Sequence, residues 1–147
     1  MKTLIEQTLA TLKADARLDY VKERDIYVTE DIRLIRNSGS YPAIGIKDGG
    51  ISFQAMSGDQ DDDILTLTIA AYVLLAKTGA GVMGDPSTNS KGVLEVAADI
   101  IAVLKDNTLG DLVETALPTS MGSSEILAAD RRFVMMCPVT MKYERFE

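Results

Sequence analysis

The sequence predicts an α+β fold: a single domain over residues 1–147, with a mainly antiparallel sheet packed by an N-terminal helix and by a helix near residues 90–106. Three observations predict it. Apolar residues recur at helical spacing in two stretches, 2–16 and 90–105, and alternate in the stretches between and after them, as half-buried strands do. The strand-like stretches cluster instead of alternating one for one with helices, which favours antiparallel pairing over a doubly wound sheet. The length of 147 residues fits one domain. A chain of that size buries roughly 70% of the surface it exposes when unfolded, so it needs neither disulfide nor metal to fold.

Each element has its own warrant. In residues 2–16, Ile5, Leu9, Leu12 and Ala16 form an apolar stripe, with Glu6, Gln7 and Lys13 off it. Asp25 to Ile35 is β-prone, with Ile26, Val28, Ile32 and Leu34 in alternation and a turn option at Glu30-Asp31. Residues 37–40 read as a loop. Tyr41 to Lys47 reads as a strand that starts at Pro42, and Asp48-Gly49-Gly50 is a hairpin turn signal. Ile51 to Ser57 returns as a strand with Ile51, Phe53 and Ala55 on one face, and Gly58 to Asp63 is an acidic loop. Ile64 to Ala76 is the longest strand, with Leu65, Leu67, Ile69, Ala71, Val73 and Leu75 on one face and Thr66, Thr68, Ala70 and Tyr72 on the other. Its β-branched residues favour a strand, although its C-terminal half also fits a helix. Ser90 to Lys105 is the clearest helix, N-capped by Ser90 and stopped by Asn107. Leu109 to Leu117 fits neither period, Pro118 ends it, and Ser120 to Ser124 reads as a loop. Arg132 to Phe146 closes the chain as a long strand or bent pair, with Pro138 marking an edge or a bulge.

Composition narrows the function classes. Hydrophobic residues make up 46% of the chain and aromatics 5%, with no Trp, so the core is expected to be aliphatic. The lone Cys137 excludes an internal disulfide. Met1 to Leu12 holds no apolar segment of the signal-peptide kind, and the longest apolar run, Ile69 to Ala76, is far short of the ~18 residues of a membrane span. A soluble chain without membrane contact is therefore expected. The net charge of −7 is uneven: residues 1–40 carry 7 basic against 7 acidic, residues 41–90 carry 2 against 6, and residues 91–147 carry 6 against 9. An acidic surface is repelled by phosphate backbones, so specific nucleic-acid binding is not expected.

The chemical motifs are few. Gly79-Ala-Gly-Val-Met-Gly84 has the spacing of a dinucleotide turn and follows a strand. Such a turn must open directly into a helix whose N-terminus holds the pyrophosphate. Here Asp85 and Pro86 intervene and delay the helix, and no second-strand acid is placed to hold a ribose. The segment is expected to be a mobile connection over residues 77–89, and Gly79, Gly81 and Gly84 become candidate assembly residues. In the acidic run Asp59, Asp61, Asp62 and Asp63, the alternate carboxylates match the first three ligand positions of a calcium loop, but Ile64 stands where Gly is required and Ala70 where Glu is required. No metal is expected there. The chain has no histidine, which removes the Ser-His-Asp, Cys-His and His-metal sites. Cys137, in a strand, reads as a buried small hydrophobe. Arg131-Arg132 can pair with the acidic loop of the same or a neighbouring chain. No cofactor and no catalysis are expected.

The element order, together with the strand Tyr41-Pro-Ala-Ile-Gly-Ile46, the long strand Ile64 to Leu75, the helix Lys91-Gly-Val-Leu-Glu-Val-Ala-Ala-Asp-Ile-Ile-Ala-Val-Leu104 and the closing Val139-Thr-Met-Lys-Tyr-Glu144, resembles the tail terminator and tail-completion proteins of long-tailed bacteriophages and prophages. The resemblance covers most of the chain and rests on patterns of shape, not on fixed chemical residues. It implies a structural subunit that assembles into a ring, commonly a hexamer, which caps the tail tube and joins it to the head. The implied partners are other copies, the tail tube protein and the head–tail connector protein. The implied location is the virion tail, after assembly in the bacterial cytoplasm. An acidic lumen would let DNA pass without sticking, and Asp59 to Asp63 are its candidate residues. The alternatives are a head–tail joining (neck) subunit and a nucleotide-binding protein using Gly79 to Gly84.

Overall fold

The structure, a computed structural model, describes residues 1–36, 40–55, 61–75, 80–84, 91–129 and 132–146. The element order is α1 (Lys2–Ala14), β1 (Ile26–Val28), β2 (Ala43–Ala55), β3 (Asp61–Leu74), α2 (Ala80–Met83), α3 (Val93–Leu104), β4 (Thr115–Met121), β5 (Glu125–Ala129) and β6 (Arg132–Phe146). Two 3-10 turns, Ala16–Leu18 and Glu23–Asp25, lead from α1 into β1. The α+β class is as expected. The six strands form one mixed sheet in the order β1-β2-β3-β6-β4, with β5 also on β6; only the β1–β2 pair is parallel.

The main core lies between α1, α3 and one face of this sheet. The expected face of the long strand is the buried one: Leu65, Leu67, Ile69, Ala71 and Val73 all enter it. Helix α3 contributes Val93, Val96, Ala97, Ile100, Val103 and Leu104, the stripe its spacing called for. Its N-cap is Gly92, not Ser90, which lies outside the described residues. The first turn is satisfied by Glu95, whose Oε1 accepts from the Gly92 N–H at 3.2 Å. That places a carboxylate at the positive end of the helix. Asn107 stops the helix as expected, donating from Nδ2 to the Val103 carbonyl at 3.2 Å. In α1 the buried stripe is Leu4, Thr8 and Leu12, with Ile5 and Leu9 at its margin. Ala16 is exposed beyond the helix end, and Leu18 takes the inward place instead.

Four boundaries differ from the sequence reading. Asp48-Gly49-Gly50 is not a hairpin turn. Strand β2 runs through it, and between the pairs Asp48↔Leu67 and Ile51↔Leu65 it uses one residue more than β3 does. That is a bulge, and Gly50 at φ +97° supplies the left-handed step it needs. The acidic segment is not all loop, since Asp61, Asp62 and Asp63 begin β3 opposite Ala55, Gln54 and Phe53. The strand expected over Asp25 to Ile35 shrinks to Ile26–Val28, because the chain then leaves the sheet to cover its second face. Pro118 does not end an element: it sits inside β4 next to a register shift, where an edge strand tolerates a missing N–H. The expected loop at Ser120 to Ser124 is correspondingly shorter, since β4 runs to Met121.

The last strand, Arg132–Phe146, is found with the bounds expected, but it is central, not an edge. Pro138 is tolerated because β6 changes partner beside it, from β4 at Val139 to β5 at Met136. Its carbonyl still accepts from Gly122 N–H at 2.8 Å. Cys137 is buried beside it and burial pushes its thiol pKa up, which suits the inert reading.

Candidate assembly surface

The second face of the sheet holds a smaller core of Ala43, Ala70, Tyr72, Leu127, Val134 and Met136, covered by Tyr27, Ile32, Ile35 and Tyr41 from the segment around β1. Three anchors hold this segment. Tyr72 donates its hydroxyl to the Ile32 carbonyl. Arg33 reaches Glu125 on β5 with Nη1 at 2.8 Å from both carboxylate oxygens. Arg36 donates to the Arg24 carbonyl at 2.9 Å and lies 4.3 Å from the centre of the Tyr27 ring. Tyr27 in turn stacks on Tyr72, with centroids 6.4 Å apart and planes at 7°. Burial pushes the Tyr27 phenol up to about 12, with the Arg36 guanidinium pulling the other way.

The anchored segment forms a depression of about 470 Å³, lined by the runs Tyr27–Glu30 and Leu34–Arg36. Val28 and Leu34 in its wall are 52% and 60% exposed. It opens beside β1, whose outer edge carries no strand among the described residues. Strand β1 covers only Ile44 to Ile46 of β2, and the rest of that β2 edge pairs with no strand among the described residues. Along it stands Phe53, 73% exposed. Phe53 lies on the helix side of the sheet but at an end that the helices leave open. A third exposed apolar group sits at the β5–β6 end, where Ile126 and Phe133 are diagonal neighbours on one face. Unpaired strand edges and exposed apolar groups are what assembling subunits use to join.

The sequence-selected residues that are described lie at separate places in the fold. Asp59, Gly79 and Arg131 lie outside the described residues. Asp61 and Asp62 open β3. Asp63 is turned inward, 5% exposed, with its carboxylate 3.1 Å from Arg145 Nη2. Its charge is therefore neutralised by Arg145. Arg132 starts β6, exposed, beside the Tyr41 phenol. Gly81 sits within the single helical turn α2, and Gly84 follows it at φ +87°. The backbone of Val82, Met83 and Gly84 packs so closely on Gly92 that a Cβ there would collide with it. Helix α2 thus packs against the residue that caps α3. The rest of the expected mobile connection, residues 77–79 and 85–89, lies outside the described residues.

Sequence reasoning missed Phe53 as a surface group, and also Val28 and Leu34. Their alternation is the same whether a strand face meets a helix or solvent, so no local signal distinguished the two. Among the described residues no helix is long and apolar enough to cross a membrane.

No protein-family model matches the chain, and no curated protein matches it. A solved structure does: a chain in the virion of a native gene transfer agent (GTA) particle. The two are 11% identical, with 93% of this chain and 90% of that chain covered and a TM-score of 0.52. At that identity the likeness is one of fold.

Proposed function

We propose that this chain is a structural subunit of a phage-like virion, not an enzyme, and that its copies form a ring which caps the tail tube and joins it to the head. The observation that carries the virion role is the fold likeness to a chain of a gene transfer agent particle, which extends over nearly the whole length of both chains. The finer placement at the head-proximal end of the tail rests on the resemblance carried by Tyr41 to Ile46, Ile64 to Leu75, Lys91 to Leu104 and Val139 to Glu144. The open β1 and β2 edges support assembly, because an unpaired row of backbone N–H and C=O groups is completed by a neighbouring chain. The partners are further copies, the tail tube protein and the connector protein, and the net charge of −7 suits a channel through which DNA passes. Solution mass and negative-stain imaging at high concentration, with and without purified tail tubes, test the proposal. Rings, or caps on tube ends, are expected. A strict monomer that leaves the tubes uncapped would overturn it.

A further inference from the structure

Helix α1 lies on the sheet without being tied to it. We infer that α1 is a lid, which lifts off the sheet as a unit about a fixed point at Asp15 while the rest of the domain stays folded, and that two buried hydroxyls in its seat, on Thr8 and Tyr143, make the closed state easy to leave.

The seat is polar where a core is apolar. Thr8 on α1 and Tyr143 on β6 are both fully buried. Their hydroxyls approach each other, yet neither makes a well-formed hydrogen bond with any described group. A hydroxyl carries one donor, so even an ideal bond between the two would leave one proton without an acceptor. Buried hydroxyls without partners oppose closure, whereas water satisfies both when the helix lifts. The other bonds of α1 are internal. Thr11 donates to the Gln7 carbonyl at 2.8 Å, and Lys2 pairs with Glu6 at 3.8 Å. Contact of Leu4 and Leu12 with the core, with Ile5 and Leu9 at the margin, is what holds the helix down.

The chain just beyond α1 is held differently. Asp15 leaves the helix in an extended conformation, and its carboxylate accepts from the Arg17 backbone N–H and from Arg17 Nε and Nη2, at 2.9, 3.0 and 2.9 Å. Arg17 Nη1 donates to the Ala102 carbonyl of α3 at 2.9 Å. Tyr20 donates to Asp99 of α3 at 2.6 Å, and Leu18 and Val21 are buried. The chain is therefore pinned to α3 directly after the helix, which sets the pivot. No strand includes a residue before Ile26, so lifting residues 2–14 breaks no bond of the sheet. A helix of 13 residues is marginal once it stands alone in water, so its amides exchange from the open state.

Cys137 supplies an internal reference, because it is buried in β6 and is reached only when the sheet itself opens. The test is the rate at which a thiol reagent labels the full chain as wild type, as Thr8→Cys, and as Thr8→Cys with Tyr143→Phe. In Thr8→Cys, position 8 should label at least about 100-fold faster than Cys137. Adding Tyr143→Phe removes the remaining hydroxyl from the seat and should slow labelling at position 8 by about tenfold. Hydrogen exchange of the unaltered wild type is the second measurement. Amides of residues 6–14 should exchange at least about 100-fold faster than those of Leu65 to Val73 in β3. Equal labelling at positions 8 and 137, or α1 amides protected as strongly as those of β3, would overturn the lid. Labelling at position 8 that Tyr143→Phe leaves unchanged or speeds would overturn the part given to the two hydroxyls.

Discussion

Tyr72 ties the two layers of the second face together, and removing it in two steps separates its contributions. Tyr72 is 1% exposed and donates to the Ile32 carbonyl. In Tyr72→Phe the ring and its stacking on Tyr27 remain, and only the hydroxyl is lost. A typical hydrogen bond contributes about 1 kcal/mol, and an acceptor left unpaired adds to that, so a loss of about 1–2 kcal/mol follows. For a domain of this size that lowers the melting temperature by about 2–8 °C. Tyr72→Ala also deletes the ring. Aromatic-to-alanine changes in cores cost about 3–5 kcal/mol. The upper half of that range applies, because Gly45 lies beneath the ring (a Cβ there would sit 3.1 Å from Tyr72 Cε2) and has no side chain to relax into the cavity. The assay is thermal and urea unfolding followed by circular dichroism. Equal melting temperatures for Tyr72→Phe and wild type, or for Tyr72→Ala and Tyr72→Phe, would refute the description of this second core.

Two further outcomes follow from the packing and the buried phenols. Gly92→Ala forces a Cβ into the backbone of α2, so it should destabilise by about 1–3 kcal/mol, as overpacking does, and should lower hydrogen-exchange protection at the start of α3; unchanged stability would mean that α2 does not pack there. Burial pushes Tyr27 and Tyr143 up to about 12, against about 10 for a free phenol. Because the folded values are raised, this stabilisation is complete below about pH 10 and is lost as pH rises toward 12, so unfolding midpoints should fall across that window while phenolate absorbance lags behind that of the unfolded chain.

Much of the fold was legible in the sequence. Strand β6 and helix α3 carry long, regular periods, and their apolar faces are the buried ones. The bulge at Gly49-Gly50 was not legible as such, because a hairpin and a bulge both need a left-handed glycine. What decides between them is that Ile51 to Ala55 pairs with the same strand, β3, as Ala43 to Asp48 does, a tertiary fact. Pro138 misled for a similar reason: its missing N–H falls where β6 changes partners, and only the sheet order reveals that gap. The proposed assembly surface was the least legible part. Phe53 alternates like a core residue and becomes exposed only because the helices leave that end of the sheet uncovered. The depression joins Tyr27 to Arg36 through anchors on β3 and β5 that lie far away in sequence.

The central claim is that copies of this chain form a ring at the end of a tail tube. Imaging purified tail tubes mixed with the full chain tests it most directly. The account predicts a ring of defined size at one end of each tube. Tubes whose ends stay bare, with the protein monomeric in the same mixture, would contradict it.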